Sequence, residues 1–182
     1  MRDLKAIIGF YLFVTGVLAL SLFSCTPAHG RYQLLDNLAG DVDQLTQEQR
    51  EATLLKGFLI MEPGKARDTK ARWRLFTDEH LQQIVDNTFE APAMLMHTLD
   101  DDVSFGYFEN FRVEDGVLVA DLRLNPRDTL NEKLADGVRV LYYLMPYRAE
   151  LSAGLNQFGD GTWFASEVSF VPDGAATGRL LK

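Results

Sequence analysis

Apolar positions along the chain fall into short blocks with two different periods. Over residues 117–124 they alternate: Leu118, Ala120, Leu122 and Leu124 lie on one side, and Val117, Val119, Asp121 and Arg123 on the other. That is the period of a half-buried strand. With residues 103–113 before it and Glu114-Asp115-Gly116 between, it predicts a β-hairpin. A helical period follows Thr77, where Leu81, Ile84 and Val85 make one face. Thr77 is the cap, Asp78 and Glu79 suit the positive helix start, and Asn87 is the stop. Residues 93–97 form an apolar strand ending in His97. Asn125-Pro126 predicts a second helix start and Asp136-Gly137 its stop. Residues 138–151 then read as a long strand bent at Pro146. Gly159-Asp160-Gly161 turns the chain into a strand over 162–171, ended by Pro172. Nearer the start, residues 45–55 read as a helix closed by Gly57 and 57–62 as a strand. Pro63-Gly64 is a turn, and 65–74 a basic exposed loop leading into a strand. Many antiparallel strands and a few short helices predict the α+β class, with a mostly antiparallel, barrel-like sheet.

The start of the chain has a different pattern. Arg2 and Lys5 precede an unbroken apolar run over residues 6–23. Its length is near the minimum for spanning a bilayer as a helix, and basic residues before it set an orientation that leaves the following chain outside the cytoplasm. The expectation is an uncleaved anchor or a cleaved signal peptide. Leu22-Phe23-Ser24-Cys25 resembles the lipobox of bacterial lipoproteins, which implies lipidation at Cys25; the other reading is a lone cysteine at the end of an anchor helix. The expected organisation is a targeting or anchor segment over 1–25, a linker over 26–43 and one domain over 44–182, membrane-associated on the non-cytoplasmic side.

Composition narrows the chemistry. A chain of 182 residues suits one domain with a sizeable core. The formal net charge of −8 repels phosphate backbones, so no nucleic-acid partner is expected. The lone Cys25 excludes an internal disulfide and every Cys-based zinc motif. Asp100-Asp101-Asp102 lacks the alternating spacing of a calcium loop and reads as a solvated turn. No metal or organic cofactor is expected. Phe105, Tyr107, Phe108 and Phe111 read as core, and Trp73 and Trp163 as core or rim.

Three histidines are available for acid–base work. His29 falls in the linker and His80 in the first turn of a helix, so His97, at a strand end, is the candidate. Ser152 lies among small neighbours in Leu151-Ser152-Ala153-Gly154, and Glu167 is a polar residue within a late strand. A serine needs a base to take its proton, and the base needs a carboxylate to hold its tautomer. Gly-x-Ser-x-Gly is absent, which argues against an α/β-hydrolase.

The order of elements over residues 76–178 resembles the prohead (capsid-maturation) proteases of tailed phages, which share a fold with herpesvirus assemblins. The resembling features run in order. They are the helix ending near Asn87, the strand ending in His97, Phe105-Gly106-Tyr107-Phe108, "EDGVLVADL", a helix with "LADG", "LSAGL" and "SEVSFVPDGAA". The resemblance implies a serine endopeptidase with His97 as base, Ser152 as nucleophile and Glu167 as third member, acting on a protein substrate. A true prohead protease would work in the host cytoplasm or virion precursor. Counted from a helix ending at Gly137, the nucleophile would fall within 144–147, where no serine stands. Two readings therefore remain: Ser152 is the nucleophile, or the domain is an inactive membrane-tethered binding or structural module.

Overall fold

The computed structural model describes residues 37–67, 72–95, 105–146, 150–171 and 178–180. The N-terminal apolar run, Cys25, His29, the Asp100–Asp102 run and His97 lie outside the described residues. Among the described residues no helix is long and apolar enough to cross a membrane.

A curled sheet organises the domain. Its strands are β1 (Leu54–Met61), β4 (Glu90–Leu95), β5 (Gly106–Glu114), β6 (Val117–Leu124), β7 (Glu150–Gln157) and β8 (Trp163–Phe170), in the spatial order β1-β6-β5-β4-β8-β7. The short β9 (Gly178–Leu180) pairs with both β7 and β1 and closes the barrel. Among the described residues every pairing is antiparallel except β4 with β8, which run parallel. A separate hairpin, β2 (Gly64–Arg67) and β3 (Trp73–Phe76), stands outside the barrel sheet. The α-helices whose bounds fall within the described residues are α1 (Gln47–Glu51), α2 (Asp78–Asn87) and α3 (Thr129–Leu144).

The local signals that form these elements are visible residue by residue. Asp115 (φ 49°) and Gly116 (φ 80°) supply the two left-handed positions of a tight hairpin turn between β5 and β6. Thr77 caps α2 through a reciprocal box: its hydroxyl accepts from the His80 N–H, and its own N–H donates to His80 Nδ1 at 3.1 Å. His80 is thus engaged in capping, and its ring lies edge-on to Phe76 and Trp163. The period-two side of β6 is buried at Leu118, Ala120, Leu122 and Leu124, and Phe58, Phe105, Phe108 and Phe170 fill the interior beside it.

Several expectations are corrected. The helix over 45–55 is only α1, because Leu54 onward enters the sheet; Gly57 (φ 79°) lies at an irregularity within β1. Leu38, placed in the expected linker, is 5% exposed and belongs to the core. Residues 65–67 and 73–74, expected in an exposed loop, lie in the paired strands β2 and β3. The largest correction is α3, which does not stop at Gly137 but runs to Leu144, replacing the expected strand over 138–144. The reason is tertiary: Leu134, Val138 and Leu141 continue one buried stripe through the glycine. Buried Arg139 also ties the segment down, donating to Asp136 at 2.6 Å and to the Ala52 carbonyl at 3.1 Å. These contacts outweigh the roughly 1 kcal/mol that a mid-helix glycine costs.

Candidate functional site

The β7–β8 hairpin has two unlike faces. Val168 and Phe170, with Leu151 opposite, turn toward the aromatic interior. The alternate positions carry polar or small residues: Ser152 and Gly154 on β7, Glu167 and Ser169 on β8. The register sets Ser152 directly across from Ser169, and Gly154 across from Glu167. On the other side of β8, Met94 of β4 pairs with Ser169. Met94, Ser169 and Ser152 therefore form one row across three strands, with Glu167 and Gly154 in the row beside it.

This polar face is enclosed. Ser152 is 8% exposed, Glu167 5% and Ser169 fully buried. Ser169 Oγ donates to Glu167 Oε2 at 2.6 Å, the short length of a hydroxyl bonded to a carboxylate. Gly154 makes room for that carboxylate. A methyl group there would stand 2.9 Å from both Cγ and Cδ of Glu167 and closer still to Oε1. At the start of β7, one carboxylate oxygen of Glu150 is shielded and has no hydrogen-bond partner.

Of the residues singled out in the sequence, Ser152 and Glu167 thus share a face as diagonal neighbours on paired strands. His97 and Cys25 lie outside the described residues. Sequence reasoning passed over Ser169 and Gly154. The signal for Ser169 was its place two residues after Glu167 in a strand, which puts both on one side. The count that set the nucleophile at 144–147 began from a helix end at Gly137, and no helix ends there. Among the described residues no group of three His, Cys, Asp or Glu is arranged to hold a metal ion.

Gly154→Ala tests the packing of this face. Glu167 is buried to its Cγ, so it cannot swing clear of an added methyl at little cost. The substitution is expected to destabilise the domain by about 2 kcal/mol, as overpacking of an enclosed site does. Urea denaturation measures it; an unchanged midpoint would show that the carboxylate has another place to go.

No family model matches the chain, and no curated protein matches it. Among solved structures, the protease of Kaposi's sarcoma-associated herpesvirus, crystallised with an allosteric inhibitor, is similar in fold. One such structure is 14% identical with a TM-score of 0.44, covering 70% of this chain and 75% of that one. A second, with a different inhibitor, is 15% identical with a TM-score of 0.42 and the same coverage. The likeness is a weak one of fold and carries no residue or activity across.

Proposed function

We propose that the domain is a serine endopeptidase of the capsid-maturation type, with Ser152 as nucleophile, His97 as general base and Glu167 as the group that orients the base. Ser152 Oγ attacks the carbonyl carbon of a peptide bond while His97 takes its proton. The protonated imidazole then gives that proton to the leaving amine, and water hydrolyses the acyl-enzyme by the same route. The observation that supports this reading is the shared face of Ser152 and Glu167. Diagonal neighbours on one face of paired strands are close enough for their side chains to interact or to hold a third group between them. The order of sequence motifs adds to it.

A second reading has its own support. Ser169 already satisfies one oxygen of Glu167, and Ser152 is largely covered. A closed polar pair of this kind also suits an inactive binding or structural module.

Reaction of the full chain in detergent with a fluorophosphonate probe separates the two. The protease reading expects covalent labelling that falls by about 10³-fold or more in Ser152→Ala and in His97→Ala, with circular dichroism unchanged. A folded chain that takes no label, or one labelled equally in the Ser152→Ala variant, overturns the reading in favour of the binding module.

A further inference from the structure

The β2–β3 hairpin carries a charge opposite to that of the rest of the chain. Residues 64–76 hold five basic residues (Lys65, Arg67, Lys70, Arg72, Arg74) and one acidic residue (Asp68), within a chain whose net charge is −8. The hairpin is fixed to the domain by its inner side. Phe76 is buried with its ring 5.0 Å from that of Trp163, and the Arg74 guanidinium lies over the same indole at 5.7 Å. Period two then turns Trp73 and Leu75 outward, where they are 68% and 62% exposed. The register sets Lys65 across from Leu75 and Arg67 across from Trp73. The outer side therefore sets Trp73 and Leu75 beside the exposed Lys65, with Arg67 at the register position across from Trp73.

Isolated exposed apolar residues are ordinary, but this juxtaposition is specific in its chemistry. An indole prefers the boundary between headgroups and acyl chains, and adjacent Lys and Arg are drawn to anionic headgroups. The apolar run over residues 6–23 is the kind of segment that brings a domain to a bilayer. The geometry points to the outer side of the β2–β3 hairpin as a docking surface for an anionic membrane, with Trp73 and Leu75 entering the headgroup layer and the basic residues pairing with lipid phosphates. This inference does not depend on the protease reading. It commits to lipid because Trp73 and Leu75 stand outward beside basic positions, the pairing that suits a headgroup layer with acyl chains beneath it.

Brominated-lipid quenching of the full chain tests it. The chain has two tryptophans, and Trp163 is 9% exposed, so the difference between wild type and Trp73→Phe isolates the Trp73 emission. Vesicles are of brominated phosphatidylcholine alone or mixed with brominated phosphatidylglycerol. Trp73 is expected to be quenched on the mixed vesicles, and the double variant Lys65→Glu/Arg67→Glu to lose about fivefold or more of that quenching. The milder Lys65→Gln/Arg67→Gln pair, checked for fold by circular dichroism, covers the case in which charge reversal disturbs the hairpin. Trp73 emission untouched by anionic vesicles overturns the inference. So does equal quenching on neutral vesicles that ignores both double variants. A change in sedimentation mass on charge reversal, without lipid quenching, assigns the face to a second copy of the chain instead.

Discussion

Phe58→Ala is expected to lower the stability of the domain by about 4 kcal/mol. The ring is 1% exposed on β1 and stands at the junction of four elements. It meets Phe108 of β5 edge-on at 5.5 Å, Tyr142 of α3 at 5.6 Å and Phe170 of β8 at 6.1 Å. Truncation removes the transfer free energy of a whole ring and leaves a void between strands that hydrogen bonds hold at fixed spacing, so collapse into the gap is limited. Against a total of about 5–15 kcal/mol for a domain, that is a large fraction. Phe58→Leu, which keeps most of the volume, should cost less than half as much. The measurement is equilibrium denaturation followed by tryptophan emission, since Trp163 is buried. A loss under about 1.5 kcal/mol would show that the barrel can close on the vacated volume.

Asp121→Ala comes next, at about 3 kcal/mol. Asp121 is 4% exposed on β6 and accepts from three groups: the Gly57 N–H at 3.0 Å, the Asn110 amide at 2.9 Å and the Arg112 guanidinium at 3.0 Å. Gly57 and Asn110 sit at irregularities in β1 and β5, and both have positive φ. One carboxylate thus braces two distorted strands from the strand between them. Its loss takes this acceptor from the part-buried Gly57 N–H and Asn110 amide, and among the described residues leaves the Arg112 guanidinium with only Glu114 and the Asn110 carbonyl.

Acid provides an independent check. Burial by itself would push the Asp121 carboxyl up; hydrogen bonds from Asn110, Gly57 and Arg112, with the charge of Arg112, outweigh it and hold the group below the ordinary carboxylate value of 3.8. A depressed carboxyl contributes stability that is complete above the unfolded value and is lost as pH falls through the folded one. The stability gap between wild type and Asp121→Asn should therefore be constant near neutrality and narrow only as the pH drops below about 4. A gap that narrows between pH 7 and 5 would point to another group.

The parts of the fold legible in sequence are those whose cause is local. The Thr77 cap and the β5–β6 turn each depend on residues a few positions apart, and each stands where the sequence puts it; β6 is a strand as its period predicts, but Val119 and Asp121 on its second side are buried too, so it is not half-buried. Misreadings fall where distant contacts override a local signal. Asp136-Gly137 is a sound helix stop by composition, yet Arg139 and the stripe through Val138 and Leu141 carry the helix on. Trp73, read as core or rim, is largely exposed because β3 turns it away from the domain and gives Phe76 to the core instead.

The sequence by itself determined the α+β class, the capped helix α2 and the hairpin β5–β6. Those rest on period, capping and turn chemistry, which act over a few residues. Only the tertiary structure decided that β8 pairs in parallel with β4 while pairing antiparallel with β7. That decision lines up Met94, Ser169 and Ser152 and sets Glu167 over Gly154. Strand order and register are chosen by how side chains from distant segments fill one interior, and a burial pattern along the chain does not specify which strand lies beside which.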